Sequence, residues 1–445
     1  MASGPISSQP PSALTLLQST FALIRIGGEI RVIDMNELTK LKTSSGPRAL
    51  SLYKRSEASL LMRRLLEAKP IPCKPRAVIE DFAVHPVTKV FDCIAFDPRP
   101  TPPETLNLWV PSPVKPLPGD WSILLSFLVN VICNGEAQVA DYLLRYLAHM
   151  LQRPEEKPGV MPVLLGGQGT GKGTFFQLLR AIWPSTTLQV SDVGHITGGF
   201  NAALECNFVI CLDEAIFKGD RKALDRMKSL ITEPEITIEA KYQPRRSLAS
   251  VHRFFAASNH QHFAHVESDD RRFLFLRVSD TRKGDHAYFH TVHAAVSDPA
   301  IIAAFVHKLL ACDLSDFNVR RRPHTAEHLE QKLHSLTDFD RYWFQVLTTG
   351  DLSPSMTPGD PWSGARFAPS IVLTTAYNAF GAATRHAGGF TERDLADTLK
   401  RLCPSAQHGR RSQHGSQHRG HFLPTLADAR GEFERAIGEV IQWPP

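Results

Sequence analysis

The chain has no CxxC pair. Its seven cysteines, at positions 73, 93, 133, 206, 211, 312 and 403, are scattered and odd in number. That argues against a zinc ribbon or a disulfide framework and for reduced thiols in a cytoplasm. No apolar run approaches the ~20 residues that span a bilayer, and no secretory leader is visible, so neither membrane insertion nor export is expected. Charge imbalance is also small. Fifty basic residues face 45 acidic ones for a net charge of +5, which alone announces no polyanionic partner. The 19 histidines do not change that balance, being mostly neutral at pH 7. Residues 1–80 lack the paired carboxylates of a polymerase or primase centre. What remains is an ordinary globular composition, 42% apolar and 21% charged, in 445 residues. This length is long for one core and predicts two or three domains.

The most informative segment is Gly166-Gly167-Gln168-Gly169-Thr170-Gly171-Lys172-Gly173-Thr174, directly after the apolar run Val163-Leu164-Leu165. Strand, glycine-rich turn and helix form the context of a phosphate-binding loop. The glycines let backbone N–H groups crowd round a polyphosphate, and Lys172 supplies a point charge for its β- and γ-phosphates. The loop departs from the common pattern in one respect. Gly173 stands where a Ser or Thr usually follows the lysine, and Thr174 is the nearest hydroxyl for Mg²⁺. A glycine-rich turn with a chance lysine is the bland alternative.

Two further apolar strands end in polar residues. Asn207-Phe208-Val209-Ile210-Cys211-Leu212 runs into Asp213-Glu214. Beside a phosphate loop, Asp213 can hold Mg²⁺ and Glu214 can orient and deprotonate an attacking water. Arg253-Phe254-Phe255-Ala256-Ala257-Ser258 runs into Asn259, whose amide can position that water. Next, Asp270-Arg271-Arg272-Phe273 places two arginines before another strand. Arg272, with Arg271 as second candidate, can reach a neighbouring subunit's nucleotide as an arginine finger. A solvated Arg–Asp cluster reads equally well. A β-prone stretch, Ile236-Thr237-Ile238, leads to Lys241, Tyr242, Arg245 and Arg246, a basic hairpin suited to a sugar–phosphate backbone. Its cations read alternatively as simply solvated.

Around this centre the chain divides by composition. Residues 1–13, rich in Ser and Pro, are expected to be a disordered tail. Residues 14–118 read as a small α+β domain: a Gly27-Gly28 hairpin, a helix over 54–69, a strand over 90–96 and a proline-rich connector. Two helices, 121–133 and 136–152, fill a segment at 119–154. Trp121, Phe127, Tyr142 and Tyr146 lie at helical spacing there and favour core packing over base stacking. The stretch 288–310 reads as helix. Beyond 335 come helices at 338–347, 371–383 and 391–403, a connector at 350–365, and a basic stretch at 407–422 with Arg410, Arg411 and Arg419 and no acid. Helix, helix and basic turn suggest a winged-helix-like module. The basic stretch reads either as a phosphate-contacting wing or as an unstructured loop. A metal site from His408, His414, His418 and His421 lacks standard ligand spacing.

Taken in order, the glycine loop, His195-Ile196-Thr197-Gly198-Gly199-Phe200-Asn201, Leu212-Asp213-Glu214-Ala215, Leu230-Ile231-Thr232-Glu233-Pro234, Ala257-Ser258-Asn259 and Asp270-Arg271-Arg272-Phe273 resemble the superfamily 3 helicase-like (AAA+) domain of phage and plasmid primase-helicases. Leu106-Asn107-Leu108-Trp109 and the 120–152 stretch look like the segment preceding that domain. The resemblance spans about residues 85–340 well and the C-terminal hundred weakly. It implies an α/β fold with an AAA+ P-loop NTPase core and parallel sheet at 155–334, a helical collar at 119–154 and the winged-helix-like domain at 335–445. It also implies an ATP- and Mg²⁺-dependent replicative helicase, a homo-oligomer forming a hexameric ring on single-stranded or forked DNA in a bacterial host cytoplasm. Carried over by position, Lys172 and Thr174 serve phosphate and metal, Asp213 and Glu214 form the acidic pair, Asn259 is the sensor and Lys241 lies in a pore hairpin. With no primase or polymerase motif in the chain, a separate primase or polymerase is an expected partner.

Two rival readings stand beside it. The loop is also that of nucleoside-monophosphate kinases, which however carry it at the chain's start. A non-hydrolysing DNA-binding replication-initiation factor is the other, and the intact Glu214 argues against it.

Overall fold

The computed structural model describes residues 12–43, 49–215, 217, 220–260, 263–265, 267, 270–352, 362, 364–383, 391–413 and 416–444. Most of the expected tail at 1–13, the connector at 350–365 in large part, and His414 lie outside the described residues. The chain divides into two compact units, Met1–Gln261 with Arg271–Pro323, and His262–Asp270 with His324–Pro445.

The first unit is mixed α/β. Strands β1 (Phe21–Ile26) and β2 (Glu29–Asp34) pair antiparallel through Gly27 and Gly28, both at positive φ as a tight hairpin requires. Residues 90–96 do not form one strand. Val90–Phe91 joins β1, while Cys93–Ala95 joins Thr105–Asn107 in a separate pair, because the chain leaves one sheet for the other at Asp92. The helices at 121–133 and 136–152 are present, the first relaxing into a π-turn over Phe127–Ile132. Phe127, Tyr142 and Tyr146 are buried core residues, and Tyr146 donates its hydroxyl to the Val160 carbonyl at 2.9 Å.

The centre of this unit is a five-stranded, all-parallel sheet. Its members are β3 (Met161–Leu165), β4 (Thr187–Val190), β5 (Val209–Leu212), β8 (Arg253–Ser258) and β9 (Phe273–Arg277), in spatial order β9-β3-β8-β5-β4. Nearly every residue of β3, β5, β8 and β9 is buried, the pattern of strands covered on both faces. Cys206 and Cys211 are fully buried fillers, and all seven cysteines are free thiols. Helix α1 (Lys172–Ile182) follows β3. Strands β6 (Glu235–Ile238) and β7 (Arg246–Ala249) form a separate antiparallel hairpin.

The stretch 288–310 is two helices rather than one. Helices α2 (His286–Ser297) and α3 (Pro299–Leu310) meet at Asp298, which caps α3 through a 2.8 Å bond from the Ala300 N–H, with Pro299 at its first position. Pro299 has no N–H to continue α2, and the axes bend by 75°. Among the described residues no single helix is long and apolar enough to cross a membrane.

The second unit has its own core around Trp343, Trp362, Leu373, Leu395, Leu399 and Phe433. Helices α4 (Asp338–Thr349), α5 (Ser370–Ala383), α6 (Glu392–Leu402) and α7 (Leu426–Ile437) enclose it. Strands β10 (Arg366–Pro369), β11 (Gln407–Gln413) and β12 (Ser416–Leu423) form an antiparallel sheet in order β10-β12-β11. The basic stretch is therefore a β-ribbon, not an unstructured loop.

Candidate nucleotide-binding site

The C-terminal edge of the parallel sheet opens into a cleft of about 430 Å³. Gln168–Thr174 line it together with Asp213, Glu214, Ser258 and Asn259. The sheet order explains this convergence. β8 lies between β3 and β5, so Asn259, just past the end of β8, sits between the glycine loop and the acidic pair.

The loop conformation depends on glycine at two points. Gly169 and Gly171 have φ of +73° and +101°. A Cβ on Gly171 would also lie 2.8 Å from a ring carbon of Phe289 and 3.0 Å from one of Phe127. By contrast, a Cβ on Gly173 would meet nothing within 4 Å. The position that usually carries the metal-binding hydroxyl is thus empty space. Thr174 instead places Oγ1 3.1 Å from Nε2 of His293.

Lys172 is mostly buried and donates from Nζ to the carbonyls of Gly166 and Gly167 at 2.7 and 2.6 Å. Burial lowers its pKa from the ordinary lysine value, while Asp213, Asp280 and Glu214 oppose that shift. A bound phosphate would replace these carbonyls as acceptor of the Lys172 ammonium, beside the backbone N–H groups at the start of α1. A second cation stands close by. A Cβ on Gly167 would lie 3.0 Å from Nζ of Lys283 and 3.7 Å from Asp280.

At the acidic pair, Gln189 on β4 donates from Nε2 to Asp213 Oδ2 at 2.8 Å, and the Arg180 guanidinium approaches Gln189 Oε1 at 3.4 Å. Glu214 has φ +54°, a left-handed conformation uncommon outside glycine, and its N–H donates to Asp213 Oδ1 at 3.1 Å. Strained backbone of this kind persists where surroundings over-determine it, often at functional sites. Asp213 and Glu214 can supply carboxylates for a hydrated divalent cation, which a nucleotide brings largely through its own phosphates. Among the described residues no group of three or more His, Cys, Asp or Glu could hold a metal ion by itself. His408, His418 and His421 therefore form no such site.

The two arginines lie elsewhere. The Met161 N–H donates to the Arg272 carbonyl at 2.7 Å, at the start of β3. Arg271 and Arg272 thus sit at the N-terminal end of the sheet, roughly 15 Å from the loop at strand spacing. They do not line this chain's own cleft.

The β6–β7 hairpin separates its three cations. Lys241 holds Nζ 5.5 Å from the centre of the Phe200 ring, and Tyr242 beside it is 91% exposed. Arg245 is exposed and pairs with Glu239 at 2.6 Å. Arg246 does not belong with them. It points inward, buried, in a bidentate pair with the fully buried Glu205. Its expected place in a DNA-binding set is corrected accordingly: the guanidinium is already consumed by a buried carboxylate. Asn201 holds the hairpin base, donating to Thr237 O at 2.9 Å and accepting from the Glu239 N–H at 2.8 Å.

Sequence reasoning missed Gln189, Asp280, Lys283, His286, Phe289 and His293. The last three project from α2 into the cleft wall.

The fold so described is a mixed α/β fold on a parallel five-stranded sheet, and its sheet region matches a known sequence family. Residues 164–272 match DUF5906, a family of unknown function. A DNA primase-polymerase of Nitratiruptor phage NrS-1 is 26% identical over 184 residues, 40% of this chain. The chain spans about a quarter of that relative's length, the match covering 25% of it. The solved apo structure of the NrS-1 C-terminal region has the same fold, with a TM-score of 0.65 at 16% identity, covering 93% of this chain and all of that one. A second apo crystal form of that region agrees, again at TM-score 0.65, with 15% identity.

Proposed function

We propose that this chain is the motor part of a phage DNA-replication protein, an AAA+-type P-loop NTPase of superfamily 3 kind. In this reading it hydrolyses ATP with Mg²⁺ and uses the energy to translocate on and unwind DNA. The observation that supports it best is the convergence of three separate motifs, the glycine loop, Asp213-Glu214 and Asn259, on one cleft. The likeness to a phage primase-polymerase and to the fold of its C-terminal region points to the same setting.

The residues divide the work as follows. Backbone N–H groups of 167–174 and the Lys172 ammonium bind the β- and γ-phosphates. Asp213, held by Gln189, offers its carboxylate to the cation, whose chemistry is to neutralise charge on the phosphates. Glu214 takes the proton of the attacking water, and Asn259 orients that water. Water oxygen bonds to the γ-phosphorus as the bond to the β,γ-bridging oxygen breaks, giving ADP and phosphate. Arg272 or Arg271, remote from its own cleft, acts on a neighbour's nucleotide in a ring of identical subunits. Lys241 and Arg245 on the hairpin grip the DNA backbone.

The test is unwinding of a forked DNA by the purified chain with ATP and Mg²⁺, alongside sizing by light scattering. Strand separation by a ring-sized species is expected. A monomer that hydrolyses ATP without unwinding, whatever DNA is supplied, would contradict the motor reading.

A further inference from the structure

The β11–β12 ribbon takes no part in the nucleotide chemistry or the hairpin grip proposed above. Its root is fixed. β10 pairs with β12 only from Gly420 to Leu423, and the Phe367 and Phe422 rings meet there at 4.9 Å between centroids. Gly409 and Gly420 stand opposite each other at this point. A Cβ on Gly420 would lie 2.3 Å from the Ala368 carbonyl oxygen, and one on Gly409 would lie 2.8 Å from a Phe422 ring carbon. Beyond that glycine rung the third strand stops and two strands continue alone.

The continuing part carries Arg410 opposite Arg419, Arg411 opposite His418 and Ser412 opposite Gln417. Facing residues share a side and neighbours alternate, so Arg410 and Arg419 occupy one face, Arg411 and His418 the other. All three arginines are exposed. The ribbon has no acidic residue, and none of the three pairs with a carboxylate among the described residues. A pair of like charges directly opposite is destabilising, and an isolated two-stranded ribbon is marginal to begin with. Such a device is costly to the fold unless an anion is its partner.

A flat polyanionic surface would need cations on one face only. Cations on both faces, with small polar residues Ser412, Ser416 and Gln417 toward the tip, suit a groove with a phosphate wall on each side. The major groove of B-DNA admits a two-stranded β-ribbon, whereas the deep, narrow major groove of an RNA duplex does not. We propose that the β11–β12 ribbon is a duplex-DNA binding element, its arginines on the phosphate walls and Ser412, Ser416 and Gln417 toward the base edges. This site is independent of the nucleotide cleft and of any hydrolysis there.

The test uses the full chain with Arg410, Arg411 and Arg419 all changed to Ala, and separately all to Lys. Binding to a short labelled DNA duplex, its single strand and the corresponding RNA duplex is followed by anisotropy across a salt series. For the alanine variant, DNA-duplex affinity should fall about tenfold or more. The log–log salt slope should become shallower by about 0.9 for each phosphate no longer neutralised. The lysine variant should keep most of the slope. Single-strand binding and nucleotide binding should not move, and the melting temperature without DNA should hold or rise as repulsion is removed. Parental duplex affinity and slope in the alanine variant would overturn the proposal. So would an equal loss on the DNA duplex, the RNA duplex and the single strand, which would make the ribbon a general polyanion surface.

Discussion

Thr174 Oγ1 and His293 Nε2 lie 3.1 Å apart, joining the first turn of α1 to α2 across the wall of the cleft. With Gly173 leaving open space, this hydroxyl is the only one the loop's helix offers near the acidic pair. If Thr174 donates its proton to the imidazole, its oxygen lone pairs remain for a cation. His293 then positions the ligand without touching it. His293→Ala should raise the Mg²⁺ concentration needed for half-maximal hydrolysis by about tenfold, the usual scale for a supporting partner. Thr174→Ala should do the same, and the double variant should do little more. Additive effects would show that the two residues act separately.

Gly173 and Gly171 should respond in opposite ways to the same substitution. Gly173→Ala fills open space within a helix and should stabilise the protein by up to about 1 kcal/mol, with nucleotide binding retained. Gly171→Ala meets two aromatic rings at a φ of +101° and should cost stability by about 1–3 kcal/mol and weaken nucleotide binding. Chemical denaturation with a fluorescent nucleotide titration reads both. Equal tolerance at the two positions would contradict the loop geometry.

The hairpin cations separate in the same manner. Arg246→Ala strands the buried Glu205 carboxylate and should destabilise the protein by about 3–5 kcal/mol. Lys241→Ala and Arg245→Ala should leave unfolding unchanged and lower DNA binding. An Arg246→Ala chain of parental stability that loses only DNA affinity would restore Arg246 to the DNA-facing set.

Part of this arrangement was legible in the chain. Glycine spacing after an apolar run, and apolar strands ending in Asp213-Glu214 and Asn259, carry their own geometry, because a parallel strand's C-terminal end is where its next residue meets the cleft. Two further features follow from simple local rules. Arg246 and Leu248 share the inward face of β7 by simple alternation, and Asp298-Pro299 is a helix start inside what read as one helix. The rest is tertiary. Gln189, Lys283 and His293 have no local pattern that marks them, and only the sheet order and the packing of α2 bring them to the site. Glu205, the partner of Arg246, lies 41 positions away in a short 3₁₀ turn.

Acid sensitivity follows from a buried imidazole. Burial pushes His252 down to about 4, although its bond to the Leu204 carbonyl at 2.7 Å resists the shift. Unfolded, the same ring takes a proton near 6.5. The folded state therefore binds fewer protons between these values, so stability is complete above about 6.5 and is lost as pH falls toward about 4. The drop in melting temperature from pH 7.5 to pH 5 should shrink in His252→Asn. An identical drop in parent and variant would remove His252 from the acid transition.

The cleft's chemistry is tested most directly by phosphate release from ATP and Mg²⁺, measured on the parental chain, Lys172→Ala and Glu214→Gln beside nucleotide binding. The parental chain should turn over. Glu214→Gln should bind nucleotide normally yet release phosphate at least about 10²-fold more slowly, since an amide cannot take the water's proton. Lys172→Ala should lose both binding and turnover. Parental rates of release in Glu214→Gln and Lys172→Ala would contradict the assignment of this cleft as a nucleotide-hydrolysing site.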